Sequence, residues 1–197
     1  RGKVSLDDPI EKYLPGFRIK SSFADARPPT FRQVVAHSAG LPREGDHQGW
    51  RDMNMPTAET LLESLGRLEM AFPTMVEPKY SNLGIAMMGY ALGKIAGQDY
   101  GSYVEAEILR PLGMDASGFE RSRYGDDHYA IGYDLTADGA SPSPHWDEQG
   151  FRPGGGMYST VEDITKFIAM QFRDQPAGGN QVLGGSTIRE MHMPISV

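Results

Sequence analysis

The chain has 197 residues, 39% of them hydrophobic and 10% aromatic, enough to bury a core in one large domain or two small ones. A formal net charge of −7 excludes a non-specific nucleic-acid binder, because phosphates need a basic surface. Cysteine is absent, which excludes disulfides, thiolate catalysis and cysteine metal sites; periplasm, exterior and cytoplasm all stay compatible. No apolar run reaches the roughly 18 residues of a membrane span. Residues 1–8 are too polar for a signal peptide, and without an initiating Met residue 1 is not expected to begin the gene product.

In chain order, Leu6 to Phe17 reads as a short helix, with proline near its start and Pro15-Gly16 at its end. Residues 18–29 are polar and loop-like. Thr30 and Gln33 form a capping box for a helix with an apolar stripe of Phe31, Val34 and Val35. Gly40 is expected to stop that helix, with Leu41 making the apolar contact of a Schellman motif and Pro42 preventing continuation. A loop over 43–56 follows. Thr57 caps the next helix, which carries Leu61, Leu62, Leu65 and Leu68 on one face.

The segment Phe72 to Pro78 is extended and broken by prolines, and it leads to an all-round apolar helix after Asn82 that Gly97 stops. Asp99 caps a helix containing Tyr103, Val104, Ile108 and Leu109, ending before Pro111. Tyr129–Tyr133 reads as a strand and Asp138-Gly139 as a hairpin turn. Ser159 and Glu162 read as a second capping box, for a helix with Ile164, Phe167, Ile168 and Phe172 on its apolar face. Residues 174–185 read as a flexible loop, and a last helix begins near Ser186 or Thr187.

Few residues suggest chemistry. Ala36-His37-Ser38-Ala39-Gly40 approaches the G-x-S-x-G nucleophile elbow, but that elbow needs a strand before it and a helix after it. Here a capping box precedes and Leu41-Pro42 follows. None of the five histidines has metal-ligand spacing, and Asp126-Asp127-His128 reads as a solvated loop. Gly154-Gly155-Gly156 lacks the lysine of a phosphate loop and reads as a tight turn. Tyr80-Ser81-Asn82, a tyrosine and an amide at the start of the apolar helix, is too short a pattern to separate a working base from a core aromatic by spacing.

Five phrases in order change that weighting. They are Lys3-Val4-Ser5-Leu6-Asp7-Asp8-Pro9 with Tyr13-Leu14-Pro15, then Thr30 to Pro42 ending His37-Ser38-Ala39-Gly40-Leu41-Pro42, Tyr80-Ser81-Asn82-Leu83-Gly84, Arg110-Pro111-Leu112-Gly113-Met114, and Gly155 to Asp163. Together they make the chain resemble the serine β-lactamase family in its broad sense. That family takes in class C β-lactamases, penicillin-binding proteins, D-aminopeptidases and related esterases. The resemblance implies an α+β, β-lactamase/transpeptidase-like fold. Residues 1–197 would be a single partial domain of it, mainly the helical region with few strands.

The resemblance also implies roles. In the family a serine in S-x-x-K attacks the substrate carbonyl, while the lysine and the tyrosine of Y-x-N manage the proton. By that pattern Tyr80 is the general base and acid, and Asn82 orients the lysine or a substrate amide. A free phenol has a pKa of about 10, and a neighbouring ammonium would lower it toward a useful base. Lys79 is not expected to replace the family lysine, because sequence neighbours point in different directions. The implied ligand is a small-molecule acyl substrate: a β-lactam, a peptide or an ester. No cofactor or metal is implied.

This chain departs from the family in three places. None of its serines begins S-x-x-K, and no K-T-G or H-x-G triplet follows Met193-Pro194. The Pro-Gly that commonly precedes the tyrosine is Thr74-Met75, so the loop into Tyr80 is expected to differ in shape. The expectation is a parent serine hydrolase whose nucleophile lies in missing segments or a complementing chain, with this chain inactive alone. The alternatives are a non-catalytic binding module derived from the fold and an α/β-hydrolase using Ser38.

Overall fold

A computed structural model describes residues 2–24, 26–145, 147–173 and 181–194, with the side chains at 51, 52 and 126 left aside. The protein is mainly helical around one long buried helix, α4 (Asn82–Ala96). Leu83, Ala86, Met87 and Ala91 of α4 are fully buried. Against it pack α1 (Phe31–Val35), α3 (Ala58–Ser64), α5 (Tyr100–Val104) and α6 (Arg152–Gly155). An α-helix covered on several sides must be apolar nearly all round, and the sequence of α4 is.

The N-terminal segment differs from expectation. In place of a helix from Leu6 to Phe17 there is a 3-10 turn, Ile10–Lys12. The preceding carbonyls are occupied elsewhere. Phe31 N–H donates to Asp8 O at 3.2 Å and Arg32 N–H to Leu6 O at 2.8 Å, and Ile10 N–H donates to Pro29 O at 3.0 Å. Residues 6–8 thus satisfy the first two orphan donors of α1, and Thr30 Oγ1 satisfies the third from Gln33 N–H. The Thr30/Gln33 capping box is present on both sides.

α1 is shorter than the pattern suggests. It ends at Val35, and Val35 is 46% exposed instead of completing the stripe. The Schellman stop exists, centred three residues before Gly40. His37 N–H donates to Val34 O at 3.0 Å and Ser38 N–H to Gln33 O at 2.8 Å, with His37 at φ 55°. Histidine is among the few non-glycine residues that tolerate this region. Gly40, at φ 69°, serves a different end: a Cβ there would lie 2.0 Å from the Phe72 carbonyl oxygen, so only glycine admits that close approach.

The 43–56 loop contains a short helix, α2 (Gly49–Asp52). Thr57 caps α3 as expected, and α3 runs on into a 3-10 turn, Leu65–Arg67, with Leu61 and Leu65 buried and Leu62 and Leu68 packed beside them. α4 ends at Gly97 in a left-handed cap, and Asp99 caps α5 through Ser102 N–H. α5 continues as a π-helical turn, Glu105–Leu109.

The one sheet among the described residues is a hairpin, β1 (Tyr133–Thr136) antiparallel to β2 (Gly139–Pro142) with Thr136 opposite Gly139. The strand therefore begins where the sequence pattern ends it. A two-residue turn at Ala137-Asp138 sets the register outward from Gly139, and Tyr129 packs edge-on against Tyr158 instead. All eight strand residues are exposed.

The second capping box is displaced by one. Thr160, not Ser159, caps α7 (Val161–Gln171) by accepting from Asp163 N–H, while Ser159 Oγ meets Ser117 Oγ at 2.7 Å. Asp163 is buried and accepts from Ser117 Oγ and Ala116 N–H, both at 2.8 Å, and from Lys166 Nζ at 2.7 Å. Its packed side runs through Asp163, Phe167 and Met170, with Ile164 at the margin; Ile168 and Phe172 fall past its edge and are 47% and 84% exposed. α8 (Gly185–Met191) buries Ile188 in the same small cluster. Of the expected 174–185 loop, 174–180 lie outside the described residues.

Candidate active site

The Schellman turn after α1 and the N-terminus of α4 come together at Tyr80. The left-handed backbone at His37 turns both its carbonyl and its ring toward this segment. Lys79 N–H donates to His37 O at 2.7 Å, and Ser81 N–H donates to His37 Nδ1 at 3.2 Å. The imidazole also packs on the Tyr80 ring, centroids 4.5 Å apart. One residue therefore grips the chain on both sides of Tyr80 and touches its face. Because Nδ1 accepts, His37 is held neutral with its proton on Nε2, and burial pushes its pKa below the ordinary imidazole value.

Ser81, 4% exposed, fixes the other end of the joint. Its hydroxyl accepts from Gly84 N–H at 2.9 Å as the N-cap of α4 and donates to Pro42 O at 2.7 Å. Leu83 N–H donates to Arg43 O at 3.1 Å. Between these anchors Tyr80 stands 53% exposed, with the Arg43 guanidinium 5.6 Å from its ring centroid. Among the described residues no hydrogen bond ties down its hydroxyl.

Asn82 is the first residue of α4, and its Nδ2 donates to Glu44 Oε1 at 2.7 Å. Glu44 Oε1 also accepts from Arg43 Nε at 3.2 Å, and Oε2 accepts from Trp50 Nε1 at 2.9 Å. Tyr80 and Asn82 thus lie on one rigid segment at the head of α4. His37, Arg43 and Glu44 were not foreseen as parts of this site. The left-handed φ of His37 is not legible in sequence, and none of the three carries a local signal for this site.

The loop entering the site makes a left-handed turn without glycine. Met75 adopts φ 65°, its N–H donates to Ser38 O at 2.8 Å, and its sulfur lies 3.3 Å from Ser38 Oγ. Ser38 is 2% exposed, and its hydroxyl faces Met75 and the Gln33 carbonyl. A helix and not a strand leads into it. A nucleophile elbow displays its serine, so the α/β-hydrolase alternative fails on both counts.

Asp126–His128 is a 3-10 turn with His128 exposed, and no cluster of three metal-binding side chains occurs among the described residues. Gly154 and Gly155 end α6, with Gly156 as its C-cap. No helix among the described residues is long and apolar enough to cross a membrane.

A family model for Beta-lactamase matches residues 1–193. Beta-lactamase-like protein 2 of Dictyostelium discoideum is 35% identical over 198 residues, covering 98% of this chain and 35% of that protein. This chain therefore spans about a third of that relative's length. Among solved structures, the octameric penicillin-binding protein homologue from Pyrococcus abyssi superposes with a TM-score of 0.77 at 26% identity, covering 98% of this chain and 44% of its own. A Beta-lactamase/D-alanine carboxypeptidase from Yersinia pestis gives 0.71 at 28% identity, over 87% of this chain and 47% of its own. The α4 joint and its surroundings are thus the helical part of a β-lactamase/transpeptidase-like fold, and the chain belongs to the Beta-lactamase family.

Proposed function

We propose that the protein to which these residues belong is a serine hydrolase working by acyl transfer on a β-lactam, peptide or ester, and that residues 1–197 form one part of a larger domain. The observation that carries this is the grip of His37 on Lys79 and Ser81, which presents an exposed phenol on an immobilised backbone. A proton-transfer group must be held within hydrogen-bond reach of the atom it serves, and a backbone fixed on both sides of the phenol supports that role. With a lysine ammonium beside it to stabilise the phenolate, Tyr80 takes the proton from the attacking serine as phenolate and returns it, as phenol, to the leaving group. Asn82, its NH₂ turned to Glu44, offers Oδ1 to the lysine or to a substrate amide.

The serine and the lysine are not supplied by this chain. Loss of a nucleophile costs on the order of 10⁶ in kcat, about 8 kcal/mol of barrier. The chain alone is therefore expected to leave a chromogenic cephalosporin and a short-chain aryl ester unhydrolysed. A burst of acylation on any of its residues would refute that expectation. Reading the coding sequence upstream of Arg1 tests the parent assignment: an in-frame S-x-x-K supports it, and its absence favours a non-catalytic binding module.

A further inference from the structure

We propose that Glu44 is a positioning residue that fixes which end of the Asn82 amide faces the reaction space. An ionised carboxylate has no proton to give, so the Asn82 group at 2.7 Å from Glu44 Oε1 has to be the NH₂. Oδ1 is thereby left to accept from whatever meets the open side of the amide. Two further donors restrain the carboxylate. Arg43 Nε holds Oε1 and Trp50 Nε1 holds Oε2. The loop carrying it is tied to α4 by Ser81 Oγ on the Pro42 carbonyl and Leu83 N–H on the Arg43 carbonyl.

An asparagine without such a partner turns about its last bond and exchanges donor for acceptor. Glu44 removes that freedom. Oδ1 then meets a proton donor, an ammonium or the N–H of an amide, while the second N–H of the NH₂ is left to donate. The chemical consequence, that Asn82 receives the lysine ammonium, rests on the acyl-transfer reading above. The orientation itself does not.

The experiment is nitrogen-15 NMR of this chain, which has three asparagines, with Asn82→Asp identifying the Asn82 side-chain pair. In the wild type, the Asn82 NH₂ shifts are expected to follow the Glu44 carboxyl carbon as pH is lowered. In Glu44→Gln, which keeps an acceptor oxygen but no titration, that response is expected to vanish. In Glu44→Ala, exchange of the Asn82 NH₂ protons with water is expected to rise at least about tenfold, the effect of losing a hydrogen bond to a charged partner. Unchanged exchange in Glu44→Ala, or a pH response that survives in Glu44→Gln, overturns the proposal. If Glu44→Ala loses its native backbone spectrum, the Glu44→Gln comparison decides alone. A parent gene without S-x-x-K would sink the acyl-transfer reading and leave all of these signals as they are.

Discussion

Replacing Ser81 by alanine removes two hydrogen bonds from one buried oxygen, and its cost follows from where that oxygen sits. The hydroxyl caps α4 through Gly84 N–H and satisfies the Pro42 carbonyl, and Ser81 is 4% exposed, so water does not step in. Loss of an N-cap costs about 0.5–2 kcal/mol. The part-buried Pro42 carbonyl loses a hydrogen bond, which adds about 0.5–1.5 kcal/mol. The expected sum is about 1–3.5 kcal/mol. With a urea slope of roughly 2 kcal/mol/M for a chain of this size, the unfolding midpoint falls by about 0.5–1.8 M. Thr57→Ala is the control. It deletes the cap of α3 at an exposed position, where the hydroxyl's other neighbour is the exposed Thr60 hydroxyl at 3.2 Å, so it is expected to cost about 0.5–1 kcal/mol. Equal midpoint shifts for the two variants would refute the reasoning, because the Pro42 acceptor would then contribute nothing.

Three further outcomes follow from the same geometry. Burial holds His37 neutral, with a pKa below that of the unfolded chain, so its contribution is complete above about pH 6.5 and is lost as pH falls through the lower folded value. Urea midpoints measured from about pH 7.5 down to 5 should show this slope, and His37→Gln should flatten it. Burial pushes the Asp163 carboxyl up, but hydrogen bonds from Lys166, Ser117 and the Ala116 N–H outweigh it, and the net position is below the usual carboxylate value. Its contribution is therefore present above about pH 3.9 and lost as pH falls through the folded value; Asp163→Ala should cost about 2–4 kcal/mol by denaturant titration, because the Ala116 N–H and the Ser117 hydroxyl lose their acceptor while Lys166, 44% exposed, stays solvated. Gly40→Ala must place a methyl 2.0 Å from the Phe72 carbonyl oxygen at φ 69°, and thermal unfolding should show a loss of at least about 2 kcal/mol.

Much of the fold was written in local signals. Thr30 with Gln33, Thr57 and Asp99 all cap where their spacing places them, and Gly97 stops α4, because these contacts span three or four residues. The misreadings share one cause, a distant partner. Leu6–Phe17 stays out of a helix because its carbonyls are used by residues 31 and 32, and Ser159 leaves the cap because Ser117 receives its hydroxyl. The site divides in the same way. Tyr80 and Asn82 stood out as a motif, but Glu44 reaches Asn82 across 38 positions and His37 reaches Ser81 across 44, separations at which no periodicity operates. Gly40 drew the helix stop by type, while His37 took it by position, since a histidine can enter the left-handed region.

The buried faces of α4 have a consequence for the order in which the chain acquires structure. The helix contains Gly84, Gly89 and Gly93, each costing about 1 kcal/mol relative to alanine. At 15 residues, it is too short to persist on its own in water. What compensates is proximity: a side chain at Gly89 would collide with Pro153, 2.3 Å away, and one at Gly84 would crowd Leu41 and Val34. During synthesis, α1 and α3 leave the ribosome before α4, but α6, which closes over Gly89, leaves later, so the burial of α4 is completed only after residue 153 has emerged. A chain stopped between these points should show weaker protection of the α4 amides from hydrogen exchange than the complete chain.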